Sequence, residues 1–219
     1  MAVRVRICFC ALALIALVGC ATSAAPNQII VLLAPFEGRY REVGYQALYA
    51  VRLALADANR TDLTLLALDD GGTAQNIQDR VMAINQDSAV QAVLLLGQLA
   101  EQTNVSGQFR PELQVISLGD WQSPTATRCG DLCTLQTVIV REPFADNLII
   151  EIVSPPVEAA FRERYRGSGL FVPEPLPIAQ YTYAITSRVL HGETPPVQAD
   201  TPRYRYRLQG GELIPLAPN

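Results

Sequence analysis

The spacing of apolar and polar residues in the first part of the chain predicts a strand followed by a helix. Residues 29–34 form a short run of mostly branched aliphatic side chains bounded by Pro35 and Gly38, which predicts a strand buried on both faces. From residue 41 to residue 59, apolar side chains recur every three or four positions, which predicts an amphipathic helix of about five turns. A strand, a short loop and a long helix form the first half of a βαβ crossover, the unit of a parallel sheet.

The alternation of strands and helices continues through the rest of the chain. Short apolar runs predict strands at residues 63–68, 90–96 and 113–117, and helical spacing predicts helices at 73–85 and 105–109. Two more strands are predicted at residues 134–140 and 148–153. A hairpin is predicted near the end, where Gly210 and Gly211 separate short runs at 204–208 and 213–216.

Recurring motifs stand at the ends of these predicted elements. The first strand leads into Pro35-Phe36-Glu37-Gly38 and Gly44, and the first helix closes on Asn59. Residues 66–97 add an Asp-Asp turn, a helix and a strand that ends in glycine. Residues 155–192 add a helix with aromatic residues four apart, a proline-bearing loop and a helix containing Tyr-Thr-Tyr-Ala. This arrangement resembles the type I periplasmic solute-binding proteins, the family of the branched-chain amino-acid receptors, although Glu37 stands where that family usually has a hydroxyl residue.

The resemblance implies a fold and a domain organisation. It implies an α/β fold, a three-layer α/β/α sandwich with a mostly parallel sheet in the strand order 2-1-3-4, followed here by the predicted hairpin. The family has two lobes, but the chain has no room for a second lobe between about residues 140 and 155. Residues 28–219 are therefore expected to form a single lobe, on which the helices of the late segment pack.

The amino-terminal residues are typical of a bacterial lipoprotein signal. Arg4 and Arg6 precede an apolar run at residues 7–18, which is too short to span a bilayer as a helix. The run ends in Leu17-Val18-Gly19-Cys20, which resembles a lipobox and predicts a signal peptide at 1–19 and a lipidated tether at 20–27, with Cys20 acylated by palmitate-like chains. The alternative is ordinary signal-peptidase cleavage near Ala24 or Ala25. The expected location is the cell membrane or, because Ala21 rather than aspartate follows the cysteine, the outer membrane, facing the periplasm or the exterior.

The remaining cysteines predict a disulfide. Cys8 and Cys10 lie in the signal segment and Cys20 is the predicted lipidation site, which leaves Cys129 and Cys133 as a pair in an oxidising compartment. The alternative, a zinc site, needs more ligands than this pair and a distant lone histidine supply. We therefore expect a disulfide between Cys129 and Cys133 and no metal.

Composition and charge limit the partners. The chain has 219 residues, 49% of them hydrophobic and 17% charged, which is enough for one domain or a small pair with a real core. A net charge of −4 argues against nucleic acid as a partner. The clustered arginines, Arg203, Arg205 and Arg207, alternate with tyrosines and predict one face of an edge strand.

The sequence gives little support to catalysis. Asp69 and Asp70 are adjacent in an extended turn, so their side chains are expected to point apart and to serve structure. His191 is the only histidine, and Gly192 beside it indicates a helix cap rather than a catalytic base. The glycines near residues 71 and 97 lack the spacing of a phosphate-binding loop. The sequence therefore predicts no enzyme and no cofactor.

The loops after the first, third and fourth strands are the expected ligand site. In an open parallel sheet, ligands bind beyond the carboxyl ends of the strands where the strand order reverses. In the family these strand ends hold the head of an amino acid with hydroxyl and backbone groups, and of those only Thr103 is matched here. The polar and aromatic residues predicted to bind a ligand are Glu37, Gln98, Glu101, Gln102, Thr103, Asp120 and Trp121. Their acidity suits a cationic or polyhydroxylated ligand, or a basic patch on a partner, and the alternative is that they are solvated loop residues.

Two functions remain open. The first is a solute-binding or sensing lipoprotein related to the amino-acid receptors of ABC transporters, with a small polar solute as ligand and a transporter permease or another envelope protein as partner. The second is a one-lobed derivative without a small ligand that serves as a protein-interaction or structural lipoprotein of the envelope. Stabilisation of the folded domain by a small solute would distinguish the two.

Overall fold

The central element of the fold is the strand β1 (Gln28–Ala34), which has a parallel neighbour on each side. The computed structural model describes residues 28–119, 149–169, 172–195, 202–210 and 212–217. The other parallel strands are β2 (Leu63–Asp69), β3 (Val90–Leu95) and β4 (Gln114–Ser117). The sheet has the order β2-β1-β3-β4, which confirms the order that the resemblance implied.

Helices cover both faces of this sheet. They are α1 (Arg41–Asp57), which follows a 3-10 turn at Gly38–Tyr40, then α2 (Ala74–Gln86), α3 (Thr103–Ser106), α4 (Ala159–Gly167) and α5 (Pro177–Leu190). Side chains of β1 alternate between the faces, so that Ile30 and Leu32 pack against α1 and α5 while Val31 and Leu33 pack against α2 and the segment around α3. The predicted three-layer α/β/α arrangement is therefore confirmed. None of the helices in the described residues is both long and apolar enough to cross a membrane.

The residues around α4 and α5 return to pack on α1 through a buried glutamine. The Gln46 side chain is fully buried in α1, and its amide nitrogen donates to the carbonyl of Glu174 over 2.7 Å. Its side-chain oxygen accepts from the backbone N–H of Leu176 at 3.1 Å and lies 3.2 Å from the Tyr165 hydroxyl. Burial raises the pKa of Tyr165, so the hydroxyl stays protonated and can donate. One glutamine thus joins α1, α4 and the start of α5.

A second, antiparallel sheet closes the fold. Its strands are β5 (Ile149–Ile152), β6 (Tyr204–Gln209) and β7 (Glu212–Pro215), in the order β5-β6-β7. The predicted hairpin is confirmed as β6 and β7, and Gly210 adopts the positive φ of 57° that its tight turn requires.

The position of β6 differs from the prediction. The alternation of arginine and tyrosine was expected to mark an edge strand, but β6 lies between β5 and β7. The alternation instead reflects the two different faces of β6. Tyr206 is buried in the main core, and its hydroxyl donates to the carbonyl of Ser154 over 2.8 Å. Arg205 lies on the other face, 3.6 Å from Glu151 on β5. The strand predicted at residues 134–140 lies outside the described residues.

Gly44 explains why α1 packs so closely on the loop after β1. A Cβ atom on Gly44 would lie 2.1 Å from the carbonyl oxygen of Pro35 and 3.2 Å from the ring of Phe36. No real side chain fits at such a distance from backbone atoms. Glycine therefore allows the first turns of α1 to contact the loop that leads into the helix.

We predict that Gly44→Ala destabilises the protein by about 2 kcal/mol or more, because the added methyl group must push α1 away from Pro35. The matched control is Gly107→Ala, since a Cβ at Gly107 would meet no atom within 4 Å. The control should change the free energy of unfolding by less than about 1 kcal/mol. Urea denaturation followed by circular dichroism measures both, and equal stabilities for the two variants would contradict the packing argument.

Candidate functional site

The candidate site lies at the carboxyl ends of the parallel strands. From β1 the chain continues to β2 on one side of β1 and then to β3 on the other. The loops that follow β1 and β3 lead to α1 and α3 on opposite faces of the sheet. The loops concerned cover residues 35–40, 70–73 and 96–102, together with residues 118–119 after β4. The crevice between them is the place where an open parallel sheet normally binds ligands.

Asp69 at the end of β2 fixes the loop that follows β1. One oxygen of its carboxylate accepts from the backbone N–H groups of Phe36 at 2.7 Å and Glu37 at 3.0 Å, and the other accepts from Gly71 at 2.8 Å. A carboxylate that accepts several backbone hydrogen bonds holds the loops rigidly and satisfies donors that have no partner in a helix or strand. Asp69 is therefore a structural residue, as the sequence predicted for the Asp-Asp turn.

Glu101 fixes the loops after β3 and β4 in the same way. Its side chain is buried, with the residue only 6% exposed, and one carboxylate oxygen accepts from the N–H of Gly97 at 3.2 Å and of Gly119 at 2.7 Å. The sequence predicted Glu101 as a ligand-binding residue. The geometry shows a carboxylate engaged with the backbone, which gives it a positioning role at the crevice.

Asp70 is a second buried carboxylate at the crevice. The residue is 8% exposed, and its Oδ1 accepts from the N–H of Gly72 at 3.0 Å. Gly97, at a φ of 108°, packs against it and against the ring of Pro35, since a Cβ there would lie 3.7 Å from Asp70 Oδ2 and 2.9 Å from Pro35 Cδ. Burial raises the pKa of Asp70, and the neighbouring charge of Asp69 adds to this effect.

Of the described residues predicted to bind a ligand, Glu37 and Gln98 are exposed on the crevice loops. They stand on the loops after β1 and β3, which Asp69 and Glu101 hold in place. Close by, the rings of Phe36 and Tyr45 meet edge to face with centroids 5.6 Å apart, and Tyr45 is 41% exposed. The crevice loops and the adjacent start of α1 thus carry a carboxylate, an amide and a partly exposed aromatic pair on a fixed backbone.

The other predicted site residues fall into two groups. Gln102 is half-buried at the start of α3, and Thr103 is the first residue of that helix. Asp120 and Trp121 lie outside the described residues, and so do Cys20, Cys129 and Cys133.

Sequence reasoning missed the aromatic pair of Phe36 and Tyr45 and the burial of Asp70. The available signals were two aromatics on either side of the glycine that lets α1 approach the loop, and an aspartate directly after a strand and before Gly71-Gly72.

Other polar groups are used within the fold. His191 is the C-cap residue of α5, as predicted, and its Nδ1 lies 2.6 Å from the carbonyl of Ser187. A concavity of about 330 Å³ lies at the other end of the strands, where β3 and β4 begin, beside Arg110 and Glu112. The Arg110 guanidinium there donates to the carbonyls of Ile84, Asn85, Asp87 and Val90. Within the described residues, no three potential metal ligands come together.

Comparisons with known proteins support the fold. No protein-family model and no curated sequence matches the chain. A solved structure that resembles it is the solute-binding protein of an ABC transporter from R. palustris in complex with benzoate. The two share 11% sequence identity with a TM-score of 0.50, and the alignment covers 86% of this chain and 95% of the other. At this identity the likeness establishes the fold of periplasmic solute-binding proteins.

We predict that Asp70→Asn raises the melting temperature at neutral pH. The folded-state pKa of Asp70 is raised above its unfolded value, so the wild type loses stability as the pH rises from the unfolded pKa through the folded one. Asparagine removes this charge and keeps an oxygen that can accept from Gly72.

Thermal denaturation from pH 3 to pH 8 should show a gap between variant and wild type that closes toward low pH. The control is Asp62→Asn. The hydrogen bond from Arg60 lowers the pKa of Asp62, so its charge favours the folded state, and its removal should lower the melting temperature at neutral pH. A wild type more stable than Asp70→Asn at pH 7 would show that the buried charge is not the dominant effect.

Proposed function

We propose that the chain is a binding protein of the cell envelope that takes up a small polar solute at the carboxyl-end crevice and catalyses no reaction. The observation that carries this proposal is the arrangement of the crevice loops. Two carboxylates with several backbone hydrogen bonds fix the loops, while Glu37 and Gln98 remain exposed on them. A fixed backbone lowers the entropy lost on binding and favours affinity for a small ligand. The fold likeness to a solute-binding protein supports the same function.

The charge of the crevice favours a particular class of solute. Glu37, Asp69, Asp70 and Glu101 bring four carboxyl groups to it, and burial raises the pKa of Asp70. An incoming carboxylate would meet like charge, whereas an ammonium group or a set of hydroxyl groups would find acceptors. A cationic or polyhydroxylated solute therefore fits better than the anionic head of an amino acid.

The membrane anchor belongs to the same proposal. The lipobox-like Leu17-Val18-Gly19-Cys20 supports acylation of Cys20, which would hold the folded domain at the cell membrane or outer membrane. A disulfide between Cys129 and Cys133 suits such an oxidising compartment. A transporter permease or another envelope protein would then be the macromolecular partner.

A second function, protein interaction without a small ligand, is favoured by one observation. Two-lobed solute receptors enclose the ligand between lobes that close on a hinge, and one lobe offers about half of that surface. Tyr45 is 41% exposed beside Phe36 at the open crevice, and exposed aromatic residues commonly anchor protein interfaces. In that case the partner protein would take the place of the missing lobe.

We predict that a small polar solute stabilises the chain from Ala24 onward in a thermal-shift screen. For the best ligand, Glu37→Ala and Gln98→Ala should each weaken binding at least about tenfold, about 1.4 kcal/mol, because each removes an exposed polar group of the crevice. Titration followed by Trp121 fluorescence or by calorimetry measures the affinity.

The matched control for this titration is Glu112→Ala. Glu112 is an exposed carboxylate at the amino ends of the strands, away from the crevice. Unchanged affinity in both crevice variants would place the site elsewhere. A complete library without any stabilising solute would instead favour the protein-interaction function.

We predict that Cys20→Ser releases the protein from the membrane fraction, because the serine cannot carry the thioether-linked lipid. Cys10→Ser, within the predicted signal peptide, is the matched control and should leave the protein in the membrane. Cell fractionation followed by immunoblotting measures both. Membrane retention of Cys20→Ser would show that anchoring does not depend on this residue.

A further inference from the structure

From Leu63 to Leu68, the outer edge of β2 carries none of the charges, prolines or bulges that protect most natural edge strands. Exposed edges are normally interrupted by charges, prolines or bulges, because an open row of N–H and C=O groups pairs readily with other strands. From Leu63 to Leu68 β2 has no charged residue and no proline, and its register with β1 runs without a shift. None of its seven residues is fully buried, and Leu66 is 38% exposed. The edge is therefore well suited to pairing.

Hydrogen bonds at the two ends of β2 show which backbone groups face outward. The carbonyl of Asp62 accepts from Gln28 of β1 at 3.2 Å, and the N–H of Asp70 donates to Ala34 of β1 at 3.1 Å. Successive residues of a strand present their backbone groups to opposite sides, so even-numbered residues between these two face β1 and odd-numbered residues face away. The outward-facing residues are Leu63, Leu65, Ala67 and Asp69.

Within the described residues, the outward backbone groups of three of these four residues are open to a partner. The carbonyl of Asp69 is already 3.4 Å from the Arg80 guanidinium, which crosses the end of the strand. For Leu63, Leu65 and Ala67, the described part of the chain supplies no partner to the outward N–H and C=O groups. The open groups are thus centred on Leu65 and are symmetric about it.

We propose that β2 pairs in antiparallel fashion with β2 of a second copy of this chain, about a two-fold axis at Leu65. In this register Leu65 lies opposite its own counterpart, and Leu63 lies opposite Ala67 of the second copy. Each such pair exchanges two hydrogen bonds, so every open backbone group is satisfied. Between them, Thr64 lies opposite Leu66 and covers part of that exposed side chain.

A second copy fits this edge better than another partner does. A two-fold interface requires a surface that is complementary to itself, and the symmetric spacing of the open groups about one residue meets that requirement. The edge from Leu63 to Leu68 is uncharged, so neither an anionic membrane nor a charged peptide is selected by it. The result is an eight-stranded mixed sheet in the order β4-β3-β1-β2-β2-β1-β3-β4.

Sedimentation equilibrium of the full-length chain in mild detergent tests the proposal. The wild type should dimerise, and Ala67→Lys should raise the dimer dissociation constant at least tenfold by placing a charge on the edge. Met82→Lys is the matched control, because Met82 is 54% exposed on α2 and the substitution adds the same charge away from β2. A wild type that stays monomeric up to hundreds of micromolar overturns the proposal, and so does an Ala67→Lys variant that dimerises like the control.

Disulfide trapping tests the register and does not depend on whether the lysine variant folds. Thr64→Cys and Leu66→Cys chains should cross-link at dimer size when mixed, because these positions form a pair without hydrogen bonds in which the side chains are close. Either variant alone should cross-link several-fold less. Equal cross-linking in the mixture and in the separate variants rules out pairing about Leu65.

Discussion

The fold depends most on the carboxylate of Asp69, which joins the end of β2 to the loop that follows β1. By accepting from the N–H groups of Phe36 and Glu37, it fixes the position of Pro35. The carbonyl of Pro35 in turn receives α1, at a distance that only Gly44 permits. The docked helix carries Gln46, whose side chain holds the loop at Glu174 and the start of α5. A series of contacts therefore connects one charged group at a strand end to the start of α5, far along the chain.

The sequence predicts the positions of buried strands and helices, but it does not show which polar groups come into contact in the folded chain. The aliphatic runs of β1 and β3 and the spacing of α1 and α2 report burial directly, so element positions and the strand order followed from them and from the family resemblance. The alternation in β6 told two faces apart but could not show that strands lie on both of its edges. Glu101 is predicted to bind a ligand because it is an acceptor on the loop after β3, and that role stays a prediction. No sequence pattern reveals that the amides of Gly97 and Gly119 donate to its carboxylate.

The same carboxylates that stabilise the loops affect how a single lobe can bind. A receptor with two lobes gains affinity by closing over its ligand, and an open lobe lacks that contribution. Under the proposed function, an open lobe would instead lose less entropy on binding, because hydrogen bonds to Asp69 and Glu101 already hold the crevice loops in place. Asp70 lies buried beside these loops, and burial raises the pKa of its carboxyl group, which disfavours the charged form in the folded state.

If β2 pairs as proposed and Cys20 is acylated as predicted, the two together would restrict how the protein can lie on a membrane. In the proposed antiparallel pair, the two β1 strands point in opposite directions along the joined sheet. Tethers attached to their first residues would therefore leave the sheet at opposite ends of the strands. A tether of residues 20–27 reaches at most about 28 Å. If the strands stood upright on the membrane, one tether would have to cover a strand length of about 23 Å before it met the lipid. Strands lying along the membrane would avoid this extension, and the carboxyl-end crevices of both copies would then open sideways.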